Sequence, residues 1–131
     1  MITIVIDDYD AAIKHYVEDL GFTLIEDSII TPDKRWVVVA PSKEGAKILL
    51  AKAASETQKA AIGNSTGGRV GFFMYTTKFL QTYELYKSHG IEFIETPRQE
   101  KYGQVVVFKD RYGNKWDLIE QNEIDGQRLR Q

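Results

Sequence analysis

The sequence predicts an α+β domain of two tandem βαβββ modules whose strands form a curved mixed sheet around a central cleft. Three observations predict it. Apolar runs, helical stretches and turns follow the same order in both halves. The halves align without a gap at a spacing of 69 residues: Gly21 with Gly90, Ile25 with Ile94, Glu26 with Glu95, Val37 and Val38 with Val106 and Val107, Leu49 with Leu118. The full 131 residues suffice for one domain with a real core but not for two independent ones. The repeat is therefore internal to one domain, with module 1 at about 1–51, a linker at about 52–68, module 2 at about 69–120 and a polar tail at 121–131.

The elements of the first half follow from local chemistry. Ile2 to Ile6 is a β-branched run, and Asp7-Asp8 after it can accept backbone N–H bonds at the start of a helix. Ile13, Tyr16, Val17 and Leu20 recur at helical spacing, and Gly21 stands where a left-handed residue ends the helix. Phe22 to Glu26 reads as a strand, followed by a polar loop through Pro32 and Asp33 and a strand at Trp36 to Ala40. The turn Pro41 to Gly45 and the apolar run Ile48 to Ala51 complete the unit.

Lys52 to Gly68, rich in Ala, Lys, Ser and Gly, reads as the linker, and the order then recurs. Val70 to Tyr75 is a strand. Phe79, Leu80, Tyr83 and Tyr86 mark a helix ended by Gly90, and Ile91 to Ile94 is the next strand. Pro97 to Gln104 reads as a loop. Val105 to Phe108 and Trp116 to Glu120 form a hairpin about Asp110-Arg111-Tyr112-Gly113-Asn114. The tail from Asn122 to Gln131 is polar and expected to be mobile.

Composition narrows the function classes. A net charge of −2 leaves no basic surplus for a phosphate backbone, so nucleic acid is not an expected partner. The absence of cysteine excludes disulfides, thiolate metal sites and a thiol nucleophile, and fits a reducing compartment. No apolar run approaches the ~20 residues of a membrane helix, and no basic-then-apolar leader opens the sequence, so it is read as cytoplasmic. Asn64 to Gly68 is glycine-rich but lacks the lysine and helix of a phosphate loop.

The helix Asp10-Ala11-Ala12-Ile13-Lys14-His15-Tyr16 running into Asp19-Leu20-Gly21-Phe22, with the closing Asp110-Arg111-Tyr112-Gly113-Asn114-Lys115-Trp116-Asp117-Leu118, resembles the vicinal oxygen chelate superfamily. That superfamily includes glyoxalase I, extradiol ring-cleaving dioxygenases, fosfomycin-resistance enzymes and bleomycin-binding proteins. The resemblance covers residues 1 to about 120 and implies the fold more firmly than an activity. It implies a divalent metal as cofactor, held by His and Glu, that chelates adjacent substrate oxygens. Carried over by position, those ligands fall at or ahead of Met1, at about Ile48, at Arg69 and at Asp117. Only Asp117 offers a metal a lone pair there, since Ile is apolar and Arg carries a permanent positive charge. His15 is expected on the face of its helix away from Ile13, Tyr16 and Val17, and His89 as a cation near a helix C-terminus.

The sequence therefore favours a metal-free cleft for a small organic molecule. Arg69 and Asp117 are its expected polar anchors, facing inward with Gly71, Phe73 and Ile119 and close enough to pair. Phe73, Trp36 and Tyr102 are its expected walls, with Tyr75 a further aromatic, while Trp116 should face away from Asp117 under a helix. No cofactor is predicted. The alternatives are a metal-dependent glyoxalase-type lyase or dioxygenase using Asp117 with Glu120 or with a ligand from the partner chain, and a non-catalytic dimeric interaction protein. The resemblance further implies a homodimer, which exposed edge strands would favour.

Overall fold

The computed structural model describes residues 1–124 and 127–128, with side chains through Asn122. The tail's expected mobility falls largely on residues outside those described. Two compact units divide the chain at residues 65 and 66, inside the stretch read as a linker. Each unit builds its own mixed sheet from one module, in the same strand order.

In the first unit, β1 (Ile2–Ile6), β4 (Ile48–Lys52), β3 (Lys34–Ala40) and β2 (Thr23–Thr31) lie side by side in that order, with β1 and β4 parallel and the other pairs antiparallel. Helix α1 (Tyr9–Ile13) starts as expected at Asp8, whose carboxylate accepts from the Ala11 N–H at 2.8 Å. The helix continues as a wider π-type turn over Lys14–Asp19 and stops at Gly21, with φ at +76°. Ile6, Ala12, Tyr16, Val37, Val39 and Leu50 have no accessible surface and form the core between helix and sheet.

Three expectations are corrected in this unit. His15 is buried rather than outward, with Nδ1 3.1 Å from the Asp19 carboxylate and its ring edge-on to Tyr16, because the wide turn rotates it out of ideal helical phase. The polar loop after Glu26 is strand: β2 runs to Thr31, and Pro32-Asp33 is a tight hairpin turn. Main-chain pairing with β3 and the Arg35 fork on Asp27 hold a strand that lacks apolar alternation. Finally, the linker contains helix α2 (Glu56–Ala61), capped by Ser55, whose hydroxyl accepts from the Gln58 N–H at 3.1 Å. The Ser-x-x-Gln spacing at 55–58 was the available signal.

In the second unit, β5 (Val70–Thr76), β9 (Lys115–Glu120), β8 (Gly103–Lys109) and β6 (Glu92–Phe93) repeat the order, again with the first pair parallel. Helix α3 (Phe79–Ser88) packs on β9 and ends before Gly90, φ +79°. The core is aromatic: Trp116 stacks on Phe72 and Phe108, and Phe108 meets Tyr86 and Phe93. Trp116 thus faces away from Asp117, as expected. Tyr86 donates to the Met74 sulfur at 3.4 Å, and burial pushes its phenol well above the ordinary range. Where a loop was expected at 97–104, β7 (Arg98–Glu100) pairs with β8 in a hairpin. A last short pair, β10 (Glu123–Ile124) and β11 (Gln127–Arg128), lies beyond. No helix among the described residues is long and apolar enough to cross a membrane.

Asp110 organises the closing turn. Its buried carboxylate accepts from the Tyr112 and Asn114 main-chain N–H groups at 2.9 and 3.0 Å, from the Asn114 side chain at 2.9 Å and from the Trp116 indole N–H at 3.0 Å. The Asp-x-x-Gly-Asn motif is therefore a structural device that ties the turn to the core.

Candidate functional site

One face of the second sheet is covered by α3, and the other carries the candidate site. Cross-strand partners share a face, so the pairs Phe73 with Asp117, Tyr75 with Ile119, Val107 with Asp117 and Val105 with Ile119 define its lining. Phe73 is 57% and Tyr75 43% exposed, high values for aromatic residues in mid-strand. Val105, Val107 and Ile119 beside them are buried.

Asp117 lies half-buried among these apolar neighbours. Its carboxyl titrates above the ordinary range, first because burial penalises the charged form; Arg98 opposes that shift and Glu95 adds to it. No hydrogen bond from a described residue reaches its oxygens, which leaves acceptor capacity for something outside the fold.

Arg98, on β7, supplies the nearby positive charge. Its Nε donates to both Glu95 oxygens at 3.1 Å and its Nη1 to Glu100 at 2.5 Å, while Glu95 also accepts from the Val107 N–H at 3.0 Å. The guanidinium is fixed by two carboxylates rather than by chain packing. Sequence reading missed Arg98 because the strand that carries it was read as loop.

The expected partner of Asp117 was Arg69, and the two do not pair. Arg69 is exposed ahead of β5, and among the described residues its side chain has no ion pair. The register slips between Val70 and Phe72, so Gly71 is an extra residue and the alternation counted back from Phe73 breaks before it reaches Arg69. Ile48 is corrected for a different reason, since the β3–β4 connection is one residue longer than the β8–β9 connection: Ile48 pairs with Val39 as Trp116 pairs with Phe108, so it is a core residue, and Leu49 corresponds to Asp117.

The remaining candidates divide. Tyr102 is half-buried in the β7–β8 turn, and its carbonyl accepts from the Asn122 amide at 3.1 Å. Trp36 belongs to the first unit, half-buried on β3 opposite Ser28. Glu120 does not join Asp117: it alternates to the other side of β9, and its Oε1 accepts from the Gln104 N–H at 2.8 Å. Gly103, φ +132°, is required there, since a Cβ would come within 2.6 Å of that same oxygen.

The residues do not fit the divalent metal that the resemblance implies. Among the described residues no group of three or more His, Asp or Glu is placed to hold an ion, and the strand position equivalent to Asp117 in the first unit is an apolar leucine.

A family model described as the Glyoxalase/Bleomycin resistance protein/Dioxygenase superfamily matches residues 1–118. An uncharacterized protein of Shewanella frigidimarina (strain NCIMB 400) is 46% identical over 124 residues, 93% of this chain and 92% of its own. Among solved structures, UcmS2 superposes with a TM-score of 0.76 at 29% identity, covering 89% of this chain and 92% of its own. TnmS3, an antibiotic binding protein from Streptomyces sp. CB03234, gives 0.66 at 24% identity, covering 91% and 92%.

Proposed function

Because this chain belongs to the glyoxalase/bleomycin resistance protein/dioxygenase superfamily, we propose that it binds a small organic molecule, without a catalytic metal, on the face of its second sheet away from α3. The observation that carries the reading is Asp117: a half-buried carboxylate with spare acceptor capacity, flanked by the exposed rings of Phe73 and Tyr75. Exposed aromatic faces and one convergent polar group are what a planar ligand bearing an amine or hydroxyl donor requires. TnmS3 offers an antibiotic as a precedent for a ligand on this fold; at 24% identity it lends the fold and not the ligand.

The test is calorimetric titration with planar aromatic amines, proflavine first. Binding should weaken by about tenfold in Asp117→Asn and again in Phe73→Ala, and equal affinity in all three proteins would sink the assignment. The runner-up, a metal-dependent lyase or ring-cleaving dioxygenase, needs at least three donors on one ion. Stoichiometric, tight binding of Zn(II), Mn(II) or Fe(II) in the same instrument would put that reading first.

We read the working form as a homodimer. Support comes from β2, an edge strand on which Ile29 is 79% and Ile30 51% exposed. Sedimentation of the wild type against Ile29→Lys checks it: the variant should sediment as a smaller species.

A further inference from the structure

We propose that the first unit carries a separate ligand site, a fork between β3 and β4 that takes a small organic acid with an apolar body. The ladder between these strands runs only from Val39 opposite Ile48 to Val37 opposite Leu50. Beyond it, residues 34–36 stay with β2, where Trp36 faces Ser28, while Ala51 and Lys52 stay with β1, opposite Val5 and Ile6. The two strands part, and the gap holds a cavity of about 570 Å³. That volume lies within the range of small-molecule sites, and the pocket stands open to solvent.

The walls explain what keeps this one open. Arg35 is anchored by Asp27 through two hydrogen bonds, at 3.1 and 2.8 Å, and by Asp10 at 2.8 Å, and it lies 5.2 Å over the Tyr9 ring. This bracing ties the hairpin arm to the start of α1 and offsets the guanidinium charge, so Arg35 is a wall rather than a ligand hook. On the far side, Gln58 of α2 accepts from the Ala54 N–H at 2.7 Å and pins the chain that follows β4. Leu49 and Ala51, both half-buried, give the cavity part of its apolar lining.

The two lysines of the lining select the ligand. Arg35 is taken up by Asp27 and Asp10, whereas Lys34 and Lys52 stand on the two arms of the fork, and among the described residues neither has an ion pair. Asp33 is the one carboxylate in the lining. A carboxylate, phosphate or sulfonate head placed between the lysines would meet both ammonium groups while its body covers the apolar part of the lining. Both lysines are exposed, so the attraction is screened by salt.

Octanoate titrated into the full-length, ¹⁵N-labelled protein tests the site. Saturable amide shifts confined to residues 33–35 and 49–58 are expected, with affinity falling about tenfold in Lys34→Glu with Lys52→Glu. Ala54→Trp, which fills the mouth without touching either lysine, should abolish them, and Asp117→Asn should leave them unchanged. Shifts that never saturate, that map elsewhere, or that octylamine reproduces with equal affinity would overturn the proposal.

Discussion

Strands β3 and β8, Lys34–Ala40 and Gly103–Lys109, stand 69 residues apart and hold the same place in their sheets, yet the faces they help build differ in kind. In the first unit the positions matching Phe73, Tyr75, Asp117 and Ile119 are Thr3, Val5, Leu49 and Ala51. In the second unit those positions carry two exposed rings and a half-buried acid. The closing turns differ too. Asp110 gathers four donors in the second unit, whereas its counterpart is Pro41, whose turn rests on a bond from the Gly45 N–H to the Ser42 carbonyl at 3.2 Å. Topology tolerates such divergence because buried apolar alternation decides it, and a handful of positions outside that pattern is free to acquire chemistry.

The largest test of this contrast is at the turns. Asp110→Ala strands a buried indole N–H and an asparagine amide and should cost about 3 kcal/mol or more. Pro41→Ala should change stability by no more than about 0.5 kcal/mol. Denaturant unfolding of the pair checks it; equal losses would mean that both turns carry the same weight.

A matched pair comes next. Gly21 and Gly90 end the helices of the two units at φ +76° and +79°, and a Cβ at either would meet nothing within 4 Å. Gly21→Val and Gly90→Val should each cost on the order of 1–2 kcal/mol from backbone strain alone. Thermal melts that differ widely between them would show that the caps are not equivalent.

The smallest effect is electrostatic. The folded-state pKa of Asp117 is raised chiefly by burial, so its contribution to stability is fully present below the unfolded-state pKa and is lost as pH rises through the folded one. Asp117→Asn should therefore be more stable than wild type at neutral pH, with the gap closing in acid. Leu49→Asp would carry the same acid to the first unit, and its pH profile should acquire the same sign. A wild-type profile identical to that of Asp117→Asn would remove the burial argument.

How much was legible follows from which interactions are local. The strand runs, the Asp8 cap, the glycine stops and the inward Trp116 could be read because each depends on residues within a few positions of one another. Phe73 and Asp117 could be placed on one face because both lie at alternating positions inside well-marked strands. Arg98 and the hairpin of β7 were not, since a polar three-residue strand held by main-chain pairing with β8 has no apolar signature. The buried His15 was hidden for a related reason, because a π-type turn departs from the helical phase on which the reading relied.

By itself the sequence determined the two-module α+β plan, the order of the elements within each βαβββ repeat and the family, because hydrophobic periodicity and turn chemistry are written residue by residue. Only the tertiary structure decided which residues meet. The extra residue at Gly71 turned Arg69 away from Asp117, and a β3–β4 connection one residue longer than the β8–β9 connection placed Ile48 in the core. The parting of β3 from β4 opened a cavity that no local pattern announces. Side chains alternate with a period of two, so one bulge reverses every face assignment beyond it, and bulges are set by pairing with strands far away in sequence.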